Sequence, residues 1–153
     1  MRGGGRIGGE RRGLPDGLLL EHDRRRAALV LLQQSGMQLA EAHARAGRIE
    51  RALELSDQAV AEVGRTGERW WEAEAQRSRG EILLQVGPGK RDEAERCFKK
   101  ALACARRQEA MFWELHAAES LARLWQAQGR GEQARELLTS VHGQIAMVSV
   151  SRI

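Results

Sequence analysis

His116 and Glu119 are the two residues of this 153-residue chain best spaced for chemistry. Three positions apart on a helix they share a face, where an imidazole and a carboxylate can orient a metal ion or work as a general base. A metal site needs further ligands, and none stands at ligand spacing, so the residues read as a solvated pair on a helix face. Gly3, Gly5 and Gly8 satisfy G-x-G-x-x-G, but a dinucleotide site needs a strand before it and a helix after it, and the chain offers neither there. Gly87-Pro88-Gly89-Lys90 resembles the end of a phosphate-binding loop. The first glycine of that motif would fall at Leu84, and Arg91 stands where Ser or Thr should hold magnesium, so a helix-to-helix turn is the plain reading.

Cys97 and Cys104 lie seven residues apart on one helix, roughly 10 Å by the helical rise, which is too far for a disulfide. They read as free, buried or half-buried thiols. No serine sits in a nucleophile-elbow pattern. Arg24-Arg25-Arg26 could meet phosphate or an acidic partner, but reads as a solvated helix start. His43 occupies an aromatic packing slot. These residues predict no enzyme activity, no cofactor and no metal.

The elements that carry them repeat. Ala52, Ala94 and Ala134 stand 42 and 40 residues apart and open the runs Ala52–Ser56–Ala59, Ala94–Phe98–Ala101 and Ala134–Leu138–Val141. Each run follows a glycine turn, at Gly47, Gly87 and Gly129. A period of this size marks a stacked helical array, which turns the question from catalysis to surface recognition. Six helices are expected: about Asp23 to Ala46, Ile49 to Val63, Glu68 to Val86, Arg91 to Arg107, Ala110 to Gln128, and Gly131 to about His142. The glycine after each odd-numbered helix is expected to cap it in the left-handed region, and Pro88 cannot continue a helix. Trp71, Ala75, Ser78, Ile82, Leu83 and Val86 form one apolar face, as do Ala94, Phe98, Ala101 and Ala105, and Ala118, Leu121, Ala122 and Trp125. Small side chains let helices approach while a large partner fills the groove beside them. Trp71 and Trp125 are expected to lock adjacent repeats, and Trp70 and Trp113 to be partly exposed.

These residues resemble tetratricopeptide repeats, which pair Leu-Gly/Ala-x-x-aromatic on a first helix with Ala-x-x-x-Phe-x-x-Ala on a second. The first element reads Leu39-Ala40-x-x-His43, Arg79-Gly80-x-x-Leu83 and Leu121-Ala122-x-x-Trp125. His43 and Leu83 replace the aromatic, Arg79 replaces Leu, and Ser56 replaces Phe. The period exceeds the family's usual ~34 residues, as in its long-repeat variants. More narrowly, Thr66 to Glu74, Ala103 to Ala110 and Glu114 to Arg130 resemble the C-terminal helical region of large bacterial regulators. Those proteins join a predicted ATPase module to a nucleotide-cyclase-like or DNA-binding domain. This resemblance spans about Leu39 to Val141. His116 departs from the expected arginine, and Met111-Phe112 replaces a more polar pair. Residues 1–30 and the sequence after Val141 do not follow it, which implies a fragment of a larger reading frame. Clean intergenic DNA on both sides would count against that.

Composition bounds the rest. The net charge is +4, of which the first 26 residues supply +3 from seven arginines and four acids. The body is therefore near neutral and lacks the clustered basic face that nucleic-acid binding needs. The longest apolar run, Ala27 to Leu32, is far short of the ~20 residues of a membrane span. Leu18–Leu20 is too short for a signal core, so a cytoplasmic protein is expected. Residues 1–17, with seven glycines and four arginines, read as a flexible tail; 18–142 as the helical repeats; and 143–153 as an irregular tail.

The fold expected is all-α, a tetratricopeptide-like right-handed superhelix of about three antiparallel helical hairpins. The resemblance implies a concave groove lined by Met37, Glu41, Arg45, Arg77, Glu81, Glu119 and Arg123. Its mixed charge suits a protein or peptide segment. The alternative is packing against the parent protein's own ATPase domain, for which complex formation in trans is the test. Leu137, Leu138 and Val141 would lack a covering helix, each forgoing ~1.5–3 kcal/mol of burial, so self-association through the terminal helix is a further expectation.

Overall fold

A computed structural model describes residues 21, 24, 25, 35–66 and 71–151. The expected 1–17 tail, most of the first helix before residue 35, and Trp70 lie outside them. Among the described residues the architecture is all-α, without strands. Helix α1 covers 35–45. It is followed by α2 (Ile49–Thr66), α3 (Glu72–Val86), α4 (Arg91–Arg107), α5 (Met111–Ala127) and α6 (Gly131–Ser151). A single 3-10 turn, Pro88–Lys90, joins α3 to α4.

Each of α3 to α6 packs on the helix before it in sequence, and α3 also touches α5. Contacts confined to adjacent hairpins are what a hairpin stack requires. The core runs along the stack in linked clusters. Met37, Ala40 and Ala44 of α1 meet Ala52, Leu55, Ala59 and Val63 of α2, and Ala75 and Ile82 of α3. Leu83 meets Ala94, Phe98 and Ala101 of α4, then Ala118 and Leu121 of α5 and Val141 of α6. The small residues have a steric purpose. A Cβ added to Gly80 would lie 2.5 Å from Cε1 of Phe98, so only glycine lets α3 pass that ring.

Arg79 stands where the repeat pattern has leucine, and its contacts explain the departure. Its Nε donates to Asp57 of α2 at 2.6 Å, Nη2 to Glu93 of α4 at 3.1 Å, and Nη1 to Cys97 Sγ at 3.1 Å. One guanidinium fork thus joins three helices, which an apolar side chain cannot do. Burial works against the charge, but the hydrogen bonds to Asp57 and Cys97 outweigh it and hold the group protonated above its ordinary range.

Three turns share one hydrogen-bond pattern. At Gly47, Glu109 and Gly129 a positive-φ residue is bracketed by two bonds. Arg48 N donates to His43 O and Gly47 N to Ala44 O; Ala110 N to Ala105 O and Glu109 N to Arg106 O; Arg130 N to Trp125 O and Gly129 N to Gln126 O. These are Schellman caps. In two of them the flanking side chains also meet: Arg48 Nε lies 2.7 Å from His43 Nδ1, and the Arg130 guanidinium sits 4.8 Å over the Trp125 ring. Gly87 departs from the left-handed expectation, with φ 143° and ψ −179°. That extended mirror region is also open chiefly to glycine.

The sequence gives no glycine signal at Glu109, whose φ is 53°. A side chain in this region costs about 1 kcal/mol. Glu109→Gly is therefore expected to stabilise the fold by up to ~1 kcal/mol and raise the melting temperature by a few degrees, with Glu109→Ala giving no such gain. Thermal melts followed by circular dichroism would check it.

Two expectations at the chain's far end are corrected. Helix α6 does not stop near His142 with an irregular 143–153 tail; it continues to Ser151. Gly143 inside a helix costs only about 1 kcal/mol, and Val141, Ile145 and Val148 recur at helical spacing on the inner face. Val141 is 1% exposed, and Leu137, Leu138 and Ile145 are half-buried against the same core. Val141 therefore has its cover already. Val86, expected on the apolar face of α3, is exposed instead, as is Leu39 of α1. Cys97 and Cys104 are free and buried as expected; burial, with Glu72 beside it, pushes the Cys104 thiol up.

Glu95 of α4 ties the third turn to the second hairpin. It accepts from Trp125 Nε1 at 2.9 Å and Arg130 Nη1 at 3.2 Å, and pairs with Lys99 at 3.0 Å. Burial alone would raise its pKa, but these donors outweigh it and hold the carboxyl below the ordinary value. A depressed folded-state pKa gives stability that is present above the unfolded value and lost as pH falls through the folded one. Glu95→Gln should therefore lower stability at pH 7 and flatten its loss below about pH 4.5, the ordinary range of a glutamate. Urea midpoints at pH 7 and pH 3.5 would measure the difference.

Candidate protein-binding groove

The first helices of the hairpins, α1, α3 and α5, share one face, and polar contacts connect them. Ser78 Oγ of α3 donates to Glu41 Oε1 of α1 at 3.0 Å. Arg77 of α3 donates through Nη1 to Ser120 Oγ of α5 at 3.4 Å. Arg123 of α5 pairs with Glu81 of α3 at 3.2 Å. Ser78 and Ser120 hold the same position in successive hairpins and are both 1% exposed. Each hydroxyl serves a charged side chain of the preceding hairpin, which a sequence pattern of large and small residues does not reveal.

The seven expected groove residues divide into three groups. Met37 is 2% exposed and belongs to the core with Val63 and Ile82, so it does not line the groove. An apolar side chain at that position gains more from burial than from facing a polar cleft. Glu41, Arg45, Arg77 and Glu81 do come together. With Ile82 and Gln85 they line an open cleft of about 210 Å³ between α1 and α3. Glu119 and Arg123 lie further along on α5 and do not line this cleft. Glu119 is exposed with no ion-pair partner among the described residues.

Most of this charge is internally engaged. The Arg77 side chain is only 17% exposed and holds Glu74, itself 12% exposed, through two donors. The hydrogen bond to Glu74 outweighs the cost of burial and keeps Arg77 protonated above its ordinary range. Arg45 is 80% exposed and only 3.9 Å from Glu41, a loose contact. Arg123 remains 68% exposed despite Glu81. The charges that remain open to solvent are Arg45, Glu119 and Arg123, whereas Arg77 acts as a strut.

An aromatic ladder at the N-terminal end of α3 and α5 completes the surface. Trp71 meets Trp113 edge-on at 5.4 Å, Trp113 meets Phe112 at 5.0 Å, and Phe112 lies 4.5 Å from the His116 ring. His116 is thus packed against rings, which corrects its half of the expected solvated pair, whereas Glu119 is exposed as expected. Among the described residues no three His, Cys, Asp or Glu side chains cluster to hold an ion. Trp113 is half-buried against Ala73, Cys104 and Ala105, and Phe112 is the exposed ring, at 62%. Sequence reasoning missed Phe112, although Phe112, His116, Glu119 and Arg123 follow helical spacing along one stripe of α5. Among the described residues no helix is long and apolar enough to cross a membrane.

No protein-family model and no curated protein matches the chain. Among solved structures it is similar to the tetratricopeptide-repeat domain of Arabidopsis FLU, at 18% sequence identity. The match has a TM-score of 0.62 and covers 78% of this chain and 98% of that one. The fold is accordingly a tetratricopeptide-like stack of helical hairpins.

Proposed function

We propose that the chain is a protein-interaction module that captures an extended protein segment along the shared face of α1, α3 and α5, with no chemistry of its own. One observation carries this reading. The face combines an open cleft over Glu41, Arg45, Arg77 and Glu81 with three solvent-directed charges and an exposed ring, Phe112. A ligand that alternates in charge and supplies one apolar side chain matches it. Neither a nucleic acid nor a membrane surface fits a near-neutral, mixed-charge strip. Exposed ion pairs contribute ~0–1 kcal/mol each, so affinity is modest and falls with salt.

The test is capture from lysate of the source organism by the immobilised chain, quantified by mass spectrometry. Arg45→Glu and Arg123→Glu together should lower capture of a specific protein at least tenfold. Arg96→Glu with Lys100→Glu, on the outer face of α4, should leave it unchanged. Equal loss from both pairs, or none from the first, removes the groove reading. The segment from Glu114 to Arg130, with its likeness to bacterial regulators, favours a second reading: a cytoplasmic signalling protein in which this face packs on the parent's ATPase or cyclase-like domain. Binding of that domain supplied in trans, abolished by the same two groove changes, distinguishes it from capture of a separate protein.

A further inference from the structure

A second cleft shares no residue with the charged cleft between α1 and α3. It opens between the C-terminal half of α6 and the turn that joins α4 to α5, and holds about 570 Å³. Pockets of ~300–1,000 Å³ with apolar walls and a few placed polar groups are the usual form of small-molecule sites. Here the two walls differ. Helix α6 supplies Ile145, Met147 and Val148, with neutral Gln144 as its only polar residue. The opposite wall adds Met111 but is otherwise charged, with Arg106, Glu109 and Glu114.

This charged wall is acidic once its internal pair is counted. Glu114 is 7% exposed, and its Oε1 accepts from Arg106 Nε at 2.9 Å. Its Oε2 takes no hydrogen bond among the described residues. A carboxylate oxygen so far withdrawn from water, beside a cleft, is short of a donor. Glu109 is exposed and has no ion-pair partner among the described residues. Arg106 offsets one of the two acids, so one negative charge is left over. Glu109 also stands where the backbone resists it. It is the only non-glycine residue with positive φ among the described residues, whereas the other two turns with the same bonds place Gly47 and Gly129 there. Side chains held in this region cluster at ligand sites, where the stability they cost serves binding.

We propose that this cleft binds a small amphipathic primary amine, its ammonium group against Glu109 and Glu114 and its hydrocarbon body along Ile145, Met147 and Val148 of α6. The ammonium supplies the donor that Glu114 Oε2 lacks and offsets the charge of Glu109. A neutral apolar molecule would expel water from the carboxylates and return nothing to them. An anion drawn to Arg106 would meet the same two carboxylates, and like charges repel. Met111 and Met147 are unbranched and adapt to bodies of different outline, so the head group sets the selectivity.

The full chain, isotope-labelled at its methionine methyl groups, is titrated with octylammonium, octanoate and octanol and followed by NMR. Octylammonium should shift the Met111 and Met147 signals saturably, with dissociation at ~1 mM or below, and leave buried Met37 unmoved. Octanoate and octanol should bind at least ~fivefold more weakly, as should octylammonium to Glu109→Gln, since each lacks one side of an ion pair. Glu109→Gly should lose as much affinity while melting at a higher temperature, a combination that general loss of structure cannot produce. Equal binding of the three head groups, no saturable shift, or unchanged octylammonium binding by Glu109→Gln would each overturn the proposal.

Discussion

Gly80→Ala is expected to destabilise the fold although alanine is the better helix former. The gain in helix propensity is about 1 kcal/mol. Against it stands a Cβ at 2.5, 2.8 and 3.1 Å from three carbons of the Phe98 ring, which is fully buried between α3, α4 and α5. Overpacking of this kind costs roughly 1–3 kcal/mol, so the net loss is up to about 2 kcal/mol, and Gly80→Val should exceed it. Phe98→Ala should cost ~3–5 kcal/mol by leaving a cavity at the centre of the stack. The distinctive result is their coupling. With Phe98→Leu present, Gly80→Ala should lose its penalty and approach neutrality or a small gain, a non-additivity of ~1 kcal/mol or more. Urea denaturation at a few micromolar protein measures all four corners of the cycle. Additive corners would mean that α3 and α4 do not touch at this point.

Arg77→Glu and Arg123→Glu should separate sharply, although both reverse one charge on the same face. Arg77 lies between Glu74 and Glu81 on α3 and reaches Ser120 on α5, with most of its side chain out of water. Reversing it places three carboxylates on successive turns and leaves nearly buried Glu74 without its cation. Breaking a buried pair costs ~3–5 kcal/mol; with residual solvent access about 2–3 kcal/mol is expected, little altered by salt. Arg123 is two-thirds exposed, and its pair with Glu81 is worth at most ~1 kcal/mol, screened at high ionic strength. Thermal melts at 50 mM and 500 mM sodium chloride, concentrations chosen for the comparison, distinguish the two. Lost partner capture by Arg77→Glu would thus report a damaged stack, and only Arg45 and Arg123 probe the groove itself. If Arg77→Glu melts within a degree or two of the parent chain, the strut role is wrong.

The repeat and its hairpins were legible because they are set by local rules. Alanines at Ala52, Ala94 and Ala134, apolar residues three and four apart, and glycines at Gly47 and Gly129 each act within a single helix or turn, and periodicity records them directly. Met37, the length of α6 and the cap at Glu109 were not legible. The first depends on what packs opposite, the second on whether Val141, Ile145 and Val148 find a surface to cover, and the third on a backbone conformation that glycine normally announces and glutamate conceals. For the groove, the sequence alone determined which helix face carries charge. Only the tertiary structure decided which charges are left over, because Arg77 and Ser120, or Arg123 and Glu81, are more than forty residues apart in the chain and meet only when one hairpin stacks on the next.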